Sequence, residues 1–236
     1  MLSLEPRKTD AADRRTAAPS RAAGIGWLIG GSTVGMALAF LLATGYLQDA
    51  PMPDSLATLL WYGVRAAGIA AYLVLWLSTV AGLLISGRFP ARWLPGNVTL
   101  PVHELTGLAL SLVALHIVLL LGDRFAGFTP DALVIPFRAT YRPLWTTCGI
   151  VALYLMATVY FSINLRPRIG YRAWRLIHYF GFLAFVLAAV HGLATGTDST
   201  TPAMRLTFAV TAASVALLTA WRYWRSASGG TRKPAR

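Results

Sequence analysis

Six apolar blocks, each long enough to cross a lipid bilayer, constrain the fold of this 236-residue chain more than any other feature. They carry no acidic or basic residue in their middle thirds and cover residues 24–47, 61–86, 101–122, 143–165, 172–194 and 202–224. A helix needs ~20 residues to cross a hydrocarbon core about 30 Å thick. Charged residues make up 13% of the chain, roughly half the share typical of a soluble domain. We therefore predict an all-α, polytopic membrane protein, a bundle of six transmembrane helices.

The uneven distribution of basic residues predicts how this bundle is oriented. If the chain crosses the membrane six times, 16 of the 21 Lys and Arg residues lie on the side that holds both termini. That side carries the whole net charge of +12, and the opposite side is neutral. Because cytoplasmic loops are enriched in Lys and Arg, both termini are predicted to be cytoplasmic, and the protein to be multi-pass in the plasma or inner cell membrane. The same rule accounts for the basic excess, so no nucleic-acid partner is expected.

One domain is predicted to take up most of the chain. Residues 24–225 contain all six blocks and form the transmembrane domain. Residues 1–23, rich in Arg, Ala, Pro, Thr and Asp, show no apolar period and are predicted to be a disordered basic cytoplasmic tail. Residues 226–236 are predicted to be a second, short basic tail.

All four histidines lie in the third and fifth blocks, with the same spacing in each. His103 and His116 are 13 residues apart, and so are His178 and His191. Both blocks run from the cytoplasmic to the outer side, so 13 residues at ~1.5 Å each place the two levels about 20 Å apart. The pattern predicts two pairs between helices, His103 with His178 and His116 with His191. Each pair offers the two axial ligands that one haem iron accepts.

Other interpretations of these histidines are weaker. A single intramembrane histidine more often makes a hydrogen bond between helices than binds a metal, but this does not explain why no histidine occurs elsewhere in the chain. Zinc and copper favour three or four ligands at one place, whereas each level offers two. A proton relay is disfavoured because no carboxylate lies in the middle of a block. Two haem irons are therefore the predicted metals.

The spacing leaves one geometric question open. Thirteen steps of 100° put the two histidines of one helix about 140° apart around its axis. Either the two haems contact each helix from different sides, or a π-bulge or kink corrects the phase. Gly107 and Gly181 lie between the histidines of each block and would permit such a distortion.

Four ordered segments resemble the ferric-reductase-like transmembrane domain family. They are Arg65–Gly68, His103–Gly107 with His116, Arg142–Gly149, and Arg172–His178 with His191. The similarity spans about residues 61–194, the haem core of a family that includes ferric reductases, NADPH oxidases and the haem-binding membrane subunit of a periplasmic methionine-sulfoxide reductase. The resemblance implies that the four histidines ligate two b-type haems within the domain of residues 24–225.

The resemblance also implies roles for three arginines. Arg65, at the outer end of the second block, matches an arginine beside the outer haem, where its guanidinium would pair with a propionate. Arg172 and Arg175 would do the same at the inner haem, or would simply reflect the positive-inside topology.

The implied function is transmembrane electron transfer from a cytoplasmic or membrane reductant to an acceptor on the outer side. That acceptor would be ferric iron, oxygen, or a periplasmic flavin or molybdenum protein. About a dozen residues follow the sixth block and no GxGxxG fingerprint occurs. No FAD or NAD(P) site is therefore expected, and the chain would be the haem-bearing component of an oxidoreductase that needs a flavin reductase or quinol donor.

Two alternative functions stay open. The first is a haem-binding membrane subunit of a periplasmic reductase system, such as that for methionine sulfoxide. The second is a haem-free transporter-like or structural membrane protein, which the closely spaced Gly31 and Gly35 of the first block favour because small residues permit tight helix packing.

The longest outer loop, about residues 123–142, is the predicted lid or docking surface. It contains Phe125, Phe128, Phe137 and Tyr141, which would cover the outer haem or lie at the membrane interface.

Overall fold

A computed structural model describes residues 54–87, 99–123 and 126–229 of the chain. The first predicted block, the N-terminal tail and the last residues of the C-terminal tail lie outside this part. The helices are α1 (Asp54–Ser86), α2 (Thr99–Gly122), α3 (Pro130–Val134), α4 (Pro143–His178), α5 (Phe180–Thr195) and α6 (Pro202–Gly229), with a 3₁₀ turn at Thr197–Thr200. The described residues contain no strand, so the predicted all-α class is confirmed for this part of the chain.

Four helices in the described ranges are long and apolar enough to cross a membrane. They are Asp54–Ser86, Val102–Gly122, the continuous run Pro143–Thr195, and Pro202–Ala227. Large apolar side chains are exposed in the middle of these helices, among them Leu108 at 46%, Leu183 at 46% and Leu217 at 70%. Water-facing helices carry polar residues at such positions, so these surfaces indicate a lipid bilayer around the protein.

The run Pro143–Thr195 reverses direction at Gly170. Its 53 residues would measure about 80 Å as a straight helix, well over twice a hydrocarbon core of about 30 Å. Gly170 has φ 77° and ψ 164°, a left-handed backbone that suits a residue without Cβ. A first arm (residues 143–169) and a second arm (residues 171–178 continued by α5) are therefore antiparallel. The two arms correspond to the fourth and fifth predicted blocks.

Helix ends differ from the predicted block ends. α1 begins at Asp54, seven residues before the second block, and α6 runs to Gly229, inside the predicted tail of residues 226–236. The first arm likewise continues past residue 165 to the bend at Gly170. Apolar content marks the stretch that lies in lipid, whereas a helix can continue into the headgroup layer because its backbone hydrogen bonds are satisfied internally.

Hydrogen bonds between helices fix the directions of α1, α2 and α6. α2 is antiparallel to α1, since Gly63 lies against Leu119 and the Ser78 hydroxyl is 2.7 Å from that of Thr106. α6 is parallel to α1, where the Tyr72 and Thr211 hydroxyls share a hydrogen bond. One turn further on, Trp76 Nε1 donates to Ser214 Oγ over 2.8 Å. The bundle thus has a His116 end, with residues 54–65 and 191–202, and a His103 end, with residues 83–87 and 170–178.

Candidate functional site

A cavity of about 420 Å³ lies within the His116 end of the bundle. Residues of α1, α2, both arms and α6 line it, and the histidines His116 and His191 face it from α2 and α5. Its lining is otherwise largely apolar, with Ile69, Leu75, Val113 and Leu153 among its walls. Cavities that hold cofactors and small molecules measure about 300–1,000 Å³ and have this composition. The predicted pair His116 and His191 is therefore brought to one place.

His116 is held against α1. Its Nδ1 lies 2.8 Å from the carbonyl oxygen of Val64. Gly68, one turn along α1, makes room for the ring, since a Cβ there would lie 3.1 Å from both Cε1 and Nδ1 of His116. The imidazole ring of His116 therefore packs directly against the α1 backbone.

His191 is held against the first arm in the same way. Its Nδ1 lies 2.9 Å from the carbonyl oxygen of Trp145. A Cβ at Gly149 would lie 2.7–2.9 Å from three atoms of the His191 ring. Real Cβ atoms do not approach so closely, so only glycine fits this position with the ring where it is.

The two hydrogen bonds determine which ring nitrogen is available for a ligand. A carbonyl oxygen only accepts hydrogen bonds, so Nδ1 of each histidine must carry the proton. The unprotonated Nε2 of each neutral ring then has its lone pair for a metal ion. Histidine ligands in proteins are oriented by this kind of Nδ1 hydrogen bond to a backbone carbonyl.

A capping segment, residues 126–142, covers the cavity at the His116 end. It includes α3 and supplies Phe128, Leu133 and Tyr141 to the lining. The Phe137 N–H donates to Thr147 Oγ1 over 2.8 Å, and the Tyr154 hydroxyl donates to the Val134 carbonyl over 2.5 Å. The predicted lid is therefore a structured cap fastened to the first arm.

The aromatic residues predicted for this loop have different positions. Phe128 and Tyr141 line the cavity, whereas Phe137 is 66% exposed and adopts a left-handed φ of 66°. Phe125 lies outside the described residues. Two of the four thus line the cavity, and Phe137 does not.

Arg65 lines the same cavity and forms an ion pair with Asp198 of the 3₁₀ turn. Its Nε lies 2.6 Å from Asp198 Oδ2, and its Nη2 donates to Oδ1, a bidentate arrangement. The Arg65 guanidinium also stacks 4.1 Å from the ring centroid of Trp61. The predicted position of Arg65 beside the His116/His191 pair is thus observed. Its partner here is a carboxylate of the chain, which the sequence prediction missed.

Breaking this ion pair is expected to lower thermal stability. Both side chains are only about a quarter exposed, so removing one partner leaves a partly buried charge uncompensated. Arg65→Gln and Asp198→Asn should each lower the melting temperature in detergent by roughly 2–6 °C. Arg205→Gln removes the same charge from an exposed position at the same end and should change it little. Equal shifts for the control and the pair variants would contradict the prediction.

The second predicted pair also comes together, at the His103 end. The ring centroids of His103 and His178 are 6.1 Å apart with an interplanar angle of 68°. Two imidazoles that bind one metal ion from opposite sides, with bonds of about 2 Å as found for zinc, have centroids ~6 Å apart. His178 Nδ1 lies 3.1 Å from the Trp174 carbonyl oxygen, so its Nε2 also has a free lone pair.

Trp174 packs against this second pair. Its ring centroid is 4.0 Å from that of His178. Its Nε1 is buried and has no hydrogen-bond partner among the described residues. A buried indole N–H normally finds an acceptor, so this orphaned donor beside His178 is consistent with a polar group of a ligand at the site.

Arg172 and Arg175 are both exposed at the same end. Arg175, one helical turn before His178, lines a second cavity with residues of α1 and α6. Their predicted contact with an inner haem stays a prediction.

The question of helical phase is answered for α2. Residues 99–122 are α-helical throughout, and Gly107 is buried within this regular helix. His103 and His116 therefore leave α2 on different sides, the first toward the second arm and the second toward α1. Between His178 and His191 the assigned helix is interrupted only at Tyr179, whose φ of −66° and ψ of −23° are still helical. No π-bulge corrects the phase in either described segment.

No group of three or more His, Cys, Asp or Glu side chains gathers at one point within the described ranges. Zinc-type centres built from such groups thus have no candidate there, whereas paired axial ligation needs two side chains. Comparison with protein families, curated proteins and solved structures finds no match to this chain. The two histidine pairs and their surroundings are therefore the features of the chain that bear on its function.

Proposed function

We propose that this chain is a membrane electron conduit that holds two b-type haems. It would pass electrons from a cytoplasmic or membrane donor to an acceptor on the opposite side. The observation that carries the proposal is the His116/His191 cavity, where two imidazoles on different helices each present Nε2. Haem bound there would supply one-electron chemistry at a potential set by its axial ligands and surroundings.

The residues around the His116/His191 cavity fit this group. Val64 and Trp145 hold the two rings through their carbonyl oxygens, and Gly68 and Gly149 allow the rings to lie close to the backbone. Apolar walls and the capping segment would limit the access of water to a group bound there. Exclusion of water lowers the local dielectric and so influences the potential of a bound redox group.

The His103/His178 pair supports a second site. The 6.1 Å separation of its rings matches that expected for two ligands of one metal, and Trp174 presents a buried donor beside them. The pairs lie 13 residues apart along α2, so about 20 Å separates them along the helix. Two sites at these depths would divide electron transfer across the membrane into shorter steps.

We further propose six membrane spans with both termini in the cytoplasm. The alternating directions of α1, α2, the two arms and α6 support this topology, as does the concentration of Lys and Arg on one side. Reporter tags fused at residues 1 and 236 should both be cytoplasmic. A tag at residue 131, within the capping segment, should report the opposite side. Cytoplasmic signal from that position would contradict the orientation.

An absorption spectrum tests the haem proposal directly. Purified full-length protein should show a Soret band and, after dithionite reduction, α-bands of bis-histidine b-type haem. Reduction by NADPH should be slow until a flavin reductase or quinol is added. The reason is that a nucleotide-binding unit needs strands and a glycine loop, and the described residues are helices and turns. Rapid reduction by NADPH alone would contradict the second expectation.

Colourless protein would instead favour the haem-free transporter-like or structural alternative. To exclude simple loss of cofactor, the protein should be expressed with a haem precursor and purified in mild detergent. A protein that stays colourless and monodisperse under these conditions would overturn the proposal.

A further inference from the structure

A second cavity, of about 350 Å³, lies at the His103 end and brings together three arginines from two helices. We call it the arginine cavity; its lining residues are Ser86, Gly87, Arg175, Arg222, Arg225 and Ser226. The ends of α1 and α6 and the start of the second arm form its walls. None of the lining residues is acidic, and of them only Arg175 has a predicted role at the inner haem.

The arrangement favours an anionic ligand. The positive charges of Arg175 and Arg222, which line one space, repel each other, and an anion between them would relieve this repulsion. Glu104 is the one acidic residue at this end among the described residues, and it does not line the cavity. The hydroxyls of Ser86 and Ser226 also line the cavity, but each already donates to a carbonyl oxygen of its own helix, those of Leu83 and Tyr223. Guanidinium groups pair with phosphate through two parallel hydrogen bonds, so a cavity lined by several arginines suits a phosphate group.

The α6 side of the cavity is held by aromatic packing. A Cβ at Gly87 would lie 2.8 Å from the Trp221 ring, so this glycine lets the indole pack directly on the end of α1. Arg225 in turn lies over Trp221, with its Cζ 5.1 Å from the ring centroid. Arg222 follows Trp221 in the chain. This packing therefore fixes the end of α6 that carries Arg222 and Arg225.

The depth of the cavity points to the source of the phosphate. Trp224 and Tyr223, on the same turn of α6, are 66% and 77% exposed. Large amphipathic rings in such positions are typical of the headgroup layer. Basic pockets between transmembrane helices at this depth bind the headgroups of anionic lipids.

We propose that the arginine cavity binds a phosphate group, supplied by the headgroup of an anionic phospholipid. The same guanidinium groups would also bind the phosphate of a soluble compound. The test therefore distinguishes a lipid headgroup from a soluble phosphate compound. This inference does not depend on haem binding.

The test measures binding of short-chain phosphatidylglycerol to full-length protein in neutral detergent. Phosphatidylcholine of the same chain length and inorganic pyrophosphate serve as the comparison ligands. Arg175→Gln and Arg222→Gln should each weaken phosphatidylglycerol binding about fivefold, the effect of one basic residue at a membrane surface. Arg168→Gln removes the same charge at the same end, from an exposed side chain that does not line the cavity. It should change binding less than about twofold, because charge away from the bound phosphate is screened.

The outcomes separate clearly. Strong binding of phosphatidylglycerol with weak binding of pyrophosphate identifies a lipid site. Pyrophosphate that binds and competes with the same dependence on Arg175 and Arg222 supports a phosphate site with a soluble ligand. Equal binding by all variants, or binding of phosphatidylcholine as strong as that of phosphatidylglycerol, would overturn the proposal.

Loss of haem from Arg222→Gln in parallel with loss of lipid would also overturn it, since the cavity would then belong to the haem site. Gel filtration confirms that each variant is folded.

Discussion

Replacing His116 or His191 with alanine is expected to remove about half of the bound haem, and replacing His103 or His178 to remove the other half. Each variant deletes one of the two imidazoles at one level and leaves the other level intact. The expected measurements are the haem-to-protein ratio and the α-bands of the reduced protein. The two outer variants should lose the same spectral component, and the two inner variants the other.

A matched control lies in α2 between its two histidines. Ser111 is buried and does not line the His116/His191 cavity, so Ser111→Ala should retain full haem content. Haem content unchanged in all four histidine variants would show that these residues are not ligands. Variants that fail to fold are identified by gel filtration, and His→Gln variants, which keep a polar side chain of similar size but no imidazole, then repeat the comparison.

Gly149→Ala is expected to reduce occupancy of the His116/His191 site about tenfold or more, although it adds only one methyl group. The new Cβ would lie 2.7 Å from Nδ1 of His191, so the ring must move and its hydrogen bond to the Trp145 carbonyl breaks. Misplacing a ligand by about 1 Å is enough to lose a site of this kind. Alanine also has the higher helix propensity, by about 1 kcal/mol, so weakening of the helix itself would not explain the loss.

Other glycines of the bundle provide a graded series. Gly68→Ala places a Cβ 3.1 Å from the His116 ring and should have a smaller effect. At Gly181 and Gly82 nothing lies within 4 Å of the added Cβ, and alanine there should leave the spectrum unchanged. Haem content that does not follow the order Gly149, Gly68, Gly181 would show that the glycines do not shape the site.

The sequence predicted the helical class because apolar blocks of more than 20 residues have one stable form in lipid. It also located the reversal between the fourth and fifth blocks, where Pro167 and Gly170 interrupt the apolar pattern. Helix ends were less accurate, as α6 shows by continuing into the predicted tail. Outside the hydrocarbon the cost of exposing a charged side chain disappears, so composition no longer marks where a helix stops.

For the site, spacing predicted which histidines meet, and the structure brings both pairs together. The sequence did not predict the Arg65–Asp198 ion pair. A signal was available, because Asp198 and Arg65 are opposite charges assigned to the same side of the membrane. The roles of Gly149 and the Trp145 carbonyl could not be predicted from the sequence. They depend on which face α5 presents to the first arm, and this is set by the rotation of α5 about its own axis.

The unbroken helical geometry of α2 has a mechanical consequence. His116 contacts α1 through the Val64 carbonyl, and His103 faces His178 of the second arm. The two side chains leave the helix about 140° apart around its axis. Rolling α2 toward one of these contacts therefore draws it away from the other. Contacts on two sides of α2, at two heights, therefore hold the helix. They oppose rotation of α2 about its long axis, which is otherwise an easy rigid-body motion for a helix in a bundle.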